Sequence, residues 1–101
     1  MSFEMTVGLF VVDHREYTQY RKEIARLLES AEARFRYDFE VARTLKTETG
    51  HDINRLFVIE FPDRAGKERF FTDSRYLEIR TRLFQKAVGH SEIIAEYCSA
   101  M

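Results

Sequence analysis

The chain has 101 residues, 45% of them hydrophobic and 33% charged, which is room for one domain with a real core and argues against a disordered chain. Sixteen basic and seventeen acidic residues give a net charge of −1, so no polyanion-binding bias exists and nucleic acid is not an expected partner. No apolar run approaches the about 20 residues that a membrane helix needs, so a membrane is not expected either.

Residues 3–12 read as a strand dominated by Phe, Val, Leu and Thr. It is apolar on both sides: Phe3, Met5, Val7, Leu9 and Val11 on one, Gly8, Phe10 and Val12 on the other. A sheet wetted on one face would alternate apolar and polar. The pattern therefore predicts cover on both faces, the second from another subunit. No basic segment precedes this run and Glu4 interrupts it, so no signal peptide is expected.

Asp13 with Glu16 fits a helix N-cap, and the helix should run to about residue 33. Tyr17, Tyr20, Ile24, Leu27, Leu28 and Ala31 form one apolar stripe on it. The basic residues on its other face alternate with acids, which is a solvated surface and not a nucleic-acid stripe. Residues 35–44 alternate strictly, placing Phe35, Tyr37 and Phe39 on one side of a half-exposed edge strand. A hairpin loop over residues 45–53 leads to a strand at 54–61, apolar but for Glu60, and Pro62 ends it. Asp63 should cap a short helix over 64–71. Thr72, Asp73 and Ser74 mark a break before a longer helix over 75–88, ended near Gly89. Residues 91–99 form the last strand.

The order strand, helix, strand, strand, helix, strand builds two split strand–helix–strand units. The predicted fold is α+β: a ferredoxin-like sandwich, an antiparallel sheet with both helices on one face, in a single domain over residues 1–101.

Several stretches carry a family resemblance: Glu60-Phe61-Pro62-Asp63, Phe70 to Ser74, Tyr76-Leu77 with Arg80 and Arg82-Leu83-Phe84, and Ile93 to Tyr97. Glu16-Tyr17 and Tyr20-Arg21 fit the first helix of the same group. Together they resemble a family of small dimeric α+β barrels classed as a domain of unknown function and related to the antibiotic-biosynthesis monooxygenase-like proteins. The resemblance implies a homodimer whose two sheets face each other. It implies no particular reaction.

Few residues suggest chemistry. His14, His51 and His90 have no metal-ligand spacing and read as surface histidines; Asp13-His14 is an acid–base pair only if the two point together. The one cysteine, Cys98, excludes an intramolecular disulfide and a cysteine zinc site, and reads as a buried inert thiol in a cytoplasmic protein. Isolated glycines give no phosphate loop, so no cofactor and no metal are expected. Tyr17 and Tyr20 lie on the core stripe, and a buried hydroxyl wants a partner. They fill the core or line a pocket between helix and sheet.

The long helix holds the sharpest anomaly. Steps of about 100° per residue place Arg80 about 40° from Tyr76, inside the apolar arc that also holds Leu77, Leu83 and Phe84. A buried guanidinium must be paired, and Glu60 and Glu96 are single acids in otherwise apolar strands. The expectation is a buried Arg80 paired with Glu60 or Glu96. Arg82 should lie outside, against Glu78. Two functions stay open: a dimeric module binding a small apolar or aromatic ligand, or a cofactor-independent monooxygenase-like or isomerase-like enzyme using Tyr17, Tyr20, Arg80 and a strand carboxylate.

Overall fold

The computed structural model describes residues 2–99. Strand β1 (Ser2–Val11) is followed by helix α1 (His14–Ser30), then β2 (Arg34–Glu40) and β3 (Arg55–Phe61). Helix α2 spans Arg64–Thr72. A third helix, α3, covers residues 74–87, and β4 (Val88–Ser99) is the last strand. The four strands form one sheet in the order β2-β3-β1-β4, every pairing antiparallel. This is the ferredoxin-like arrangement that the element order predicts.

The three helix starts are set locally. Asp13 accepts from the Glu16 amide at 3.0 Å and Asp63 from the Gly66 amide at 2.6 Å. Asp73 accepts from the Arg75 amide at 2.8 Å, so the break at 72–74 is a cap. Between β1 and the start of β3, Asn54 uses its side chain as a strand would use its backbone. Its Oδ1 accepts from the Val11 amide at 2.7 Å and its Nδ2 donates to the Val11 carbonyl at 2.9 Å.

The inner sheet face carries Phe3, Met5, Val7, Leu9 and Val11 of β1, all buried, beside Phe57, Ile59 and Phe61 of β3. Tyr17, Tyr20, Ile24, Leu27 and Leu28 of α1 cover it. Each fully buried aliphatic or Phe side chain contributes about 1.5–3 kcal/mol. The outer face is covered only in part. Gly8 lies under Ile53 and Ile94, where an added Cβ would meet their methyls at 3.1–3.2 Å. Glu4, 1% exposed, is closed over by Arg36 at 2.6 Å and the Tyr97 hydroxyl at 3.0 Å. Around them Tyr37, Phe39, Ile94 and Tyr97 stay about half exposed.

Four local expectations are corrected. Strand β2 stops at Glu40, and a bulge at Arg36 breaks its alternation. Phe35 consequently faces the core while Tyr37 and Phe39 face outward, opposite Val58 and Leu56. Strand β4 starts at Val88, so Gly89 lies within it and does not end the helix as a C-cap. Cys98 is exposed on this edge strand, not buried.

Candidate functional site: a cavity between helices and sheet

A cavity of about 560 Å³ opens between the inner sheet face, α1 and α3. Its floor is apolar: Met5, Val7, Leu9, Ile24, Phe57 and Ile59, every one buried. Exposed Ile93 and Ser91 of β4 and exposed Arg80 of α3 mark its mouth. Phe71, Phe84, Lys67 and Glu92 complete the lining with Tyr20 and Tyr76. That volume is in the range of small-molecule sites, as is an apolar lining with a few polar groups.

Tyr20 of α1 and Tyr76 of α3 bring their hydroxyls together at 3.3 Å. Burial pushes the Tyr20 hydroxyl pKa well above the ordinary tyrosine value, reinforced by Tyr76. Burial also raises that of Tyr76. Both phenols are therefore protonated at neutral pH and act as hydrogen-bonding groups. The Arg80 cation draws both pKa values the opposite way, which places its positive field at this hydroxyl pair.

Arg80 contradicts the expectation of a buried ion pair. Its side chain is exposed, and among the described residues no carboxylate pairs with it. Helix α3 is α-helical over Ser74–Ile79, opens into a π turn over Arg80–Phe84 and ends in a last turn at Gln85–Ala87. Tyr76, Leu83 and Ala87 take the buried positions, and Leu77 and Arg80 lie to one side of them, exposed. The long Arg80 side chain reaches out along that side, and its guanidinium lies over the Phe84 ring, 5.7 Å from the centroid, at the cavity mouth.

The proposed acid partners are engaged elsewhere. Glu60 faces the outer side of the sheet, opposite Glu4. It accepts from Arg34 Nε at 3.1 Å and from the Ser2 hydroxyl at 3.3 Å. The Arg34 hydrogen bond holds its carboxyl below the usual carboxylate range. Glu96 is on the inner side, opposite Met5, and pairs with Lys67 of α2 at 2.8 Å. Tyr17 is fully buried but lies outside the cavity lining, under the Arg55 guanidinium at 4.9 Å. Its hydroxyl has no hydrogen-bond partner among the described residues, and burial pushes its pKa to about 12. Arg82 is on the outer surface, held by Glu23 as well as by the expected Glu78.

Of the sequence candidates, then, the structure gathers Tyr20 and Arg80 at one cavity, brings Glu96 to its edge through Lys67, and leaves Tyr17 and Glu60 outside. The residue that sequence reasoning passed over is Tyr76. Its position in the apolar arc of α3 was the available signal, because a buried phenol needs a partner.

Residues 6–97 match the domain of unknown function DUF1330. The chain belongs to the DUF1330 family. No curated protein shows significant similarity to it. Solved structures share the fold at low identity. A protein of unknown function from Rhodopseudomonas palustris superposes with a TM-score of 0.80 at 15% identity, over 99% of this chain and 83% of that one. SnoaB, a cofactor-independent oxygenase from Streptomyces nogalater, gives 0.67 at 16% identity, over 99% and 94%. A dimeric ferredoxin-like protein of unknown function from Bacteroides fragilis gives 0.57 at 11% identity, over 97% and 96%. At these identities the likeness establishes the fold of this DUF1330 chain and no activity.

Proposed function

We propose that this DUF1330 chain is one domain of a cytoplasmic homodimeric α+β barrel that binds a small apolar or aromatic molecule in the cavity between helices and sheet. The observation that carries this reading is the cavity itself: about 560 Å³, an apolar floor, and the Tyr20–Tyr76 hydroxyl pair with Arg80 at the mouth. A core packed to ordinary protein density would leave no such space. Tyr20, Tyr76 and Arg80 are the ligand contacts, while Glu96 fixes Lys67 beside them.

Dimerisation is supported by the outer sheet face. Tyr37 and Phe39 are each 50% exposed and Ile94 is 51% exposed, an apolar surface that a facing sheet would cover. The Bacteroides fragilis relative by fold is described as dimeric. No helix among the described residues is long and apolar enough to cross a membrane, and Cys98 is a free thiol, as suits a reducing compartment.

The same fold serves an oxygenase in Streptomyces nogalater, so catalysis on a small aromatic substrate is the alternative. Binding is favoured because the lining offers no free base. Both phenols keep their protons, and Glu92 faces His90 at 3.4 Å and the Thr49 hydroxyl at 3.3 Å. A thermal-shift screen with small apolar and aromatic compounds tests the reading. A ligand present at 100 times its Kd should add about 2.7 kcal/mol of stability. Ile93→Trp, at the exposed mouth, should abolish that shift without unfolding the protein. No shift with any compound, or equal shifts in Ile93→Trp, contradicts it.

A further inference from the structure

The charge at the cavity mouth narrows the ligand class, an inference that rests on the cavity being a ligand site. Two charged side chains line it, Arg80 and Lys67, while Glu92, opposite Gly8 in the strand register, carries its carboxylate on the outer sheet face. Lys67 is matched by Glu96 at 2.8 Å. Glu92 faces His90 and accepts from Thr49. Arg80 has no acid partner among the described residues, whereas Arg82, two positions on, is held by both Glu23 and Glu78. Its contact with Phe84 engages the face of the ring and leaves the guanidinium N–H donors free.

A second donor lies deeper. Tyr20 and Tyr76 have one O–H each and share one hydrogen bond. Whichever donates, the other keeps an unused proton beside the cavity. A planar guanidinium at the mouth and a spare phenol O–H below it form a donor set suited to a compact anion; the apolar floor suits a hydrocarbon body.

We propose that the cavity takes a small apolar or aromatic monocarboxylate, its head group held by Arg80 and the spare tyrosine O–H and its body lying against Val7, Leu9, Ile24 and Phe57. A neutral amide of the same shape loses the charge-assisted part of the interaction.

Isothermal titration of the full chain with hydrocinnamate and with its neutral amide, hydrocinnamide, tests this. The acid should bind about tenfold or more tightly than the amide, the ratio expected of a hydrogen bond to a charged group. Raising the salt concentration should erode that preference. Arg80→Gln, at an exposed position, should fold normally and lose the preference, so that acid and amide bind alike. Arg82→Gln, outside the cavity, should keep it. Equal binding of acid and amide by the parent, or a preference that survives Arg80→Gln, overturns the anionic class and leaves the cavity reading standing. Binding of neither compound counts against both.

Discussion

The hydroxyls of Tyr20 and Tyr76 meet 3.3 Å apart at the cavity, the first on α1 and the second on α3, so one hydrogen bond joins the two helices over the sheet. Tyr20→Phe removes that bond and leaves the Tyr76 hydroxyl without its protein partner. The expected cost is about 1–2 kcal/mol in urea denaturation. The double change to Phe at 20 and 76 should cost less than the sum of the two single changes, because no orphaned hydroxyl remains.

Buried phenols make the fold sensitive to alkali. Tyr17, Tyr20 and Tyr76 all have folded-state pKa values above the unfolded value of about 10, and that of Tyr17 reaches about 12. Below about pH 10 the phenols are protonated in both states and the fold keeps its full stability. As pH rises from there the unfolded chain ionises first, so stability falls towards about pH 12, where Tyr17 would ionise in the folded protein. Denaturation series at stepped alkaline pH, read beside tyrosinate absorbance, should show the loss, and Tyr17→Phe should flatten it. A stability that does not change above about pH 10 contradicts the assignment.

Glu4 is sealed on the outer face by Arg36 at 2.6 Å and Tyr97 at 3.0 Å. Arg36→Met leaves the buried Glu4 carboxylate without its counter-charge, opposite Glu60 on the same face, and should lower the melting temperature. Glu4→Gln introduced into that variant should restore much of the loss, because a neutral amide needs no counter-charge. If Arg36→Met melts with the parent, the pair has no structural weight.

The Asn54 side chain completes the backbone of Val11 on both sides, amide and carbonyl. Asn54→Ala leaves both groups without that partner and should cost about 1–3 kcal/mol in urea denaturation. Asn54→Asp keeps the acceptor but loses the donor, and should fall between the parent and Ala.

What the sequence could disclose depended on which rules are local. The helix starts at Asp13, Asp63 and Asp73 could be read because a cap is decided within three residues. The element order led to the topology, whereas the cover that the doubly apolar β1 predicts for both faces is only partial on the outer face of the single chain. The bulge at Arg36 and the π turn at Arg80 could not be read. Each inserts one residue into a regular period, and nothing in the alternation of β2 or the apolar arc of α3 marks the insertion. The bulge put Phe35 on the core side and Tyr37 on the other. The expected Arg80 ion pair failed because Glu60 faces the outer side of the sheet, Glu96 is held by Lys67, and the long Arg80 side chain reaches the exposed cavity mouth. The Tyr20–Tyr76 contact joins residues 56 positions apart, which no periodicity reveals.

The outer face offers a direct check on assembly. Tyr37 and Phe39 stack at 5.9 Å and point away from the helices. Light scattering at micromolar concentration should give the mass of a dimer for the parent chain. The double change Tyr37→Glu and Phe39→Glu, at positions already half exposed, should give a folded monomer. A monomeric parent contradicts the dimeric barrel.

The most direct measurement is a methyl-resolved NMR titration of the isotopically labelled chain with hydrocinnamate. Val7, Leu9, Ile24 and Ile59 line the cavity, while Leu56 and Val58 lie on the opposite sheet face. Saturable shifts of the first set, with the second unmoved, are the expected result. Shifts confined to Leu56 and Val58, or none in either set, would contradict a ligand site between helices and sheet.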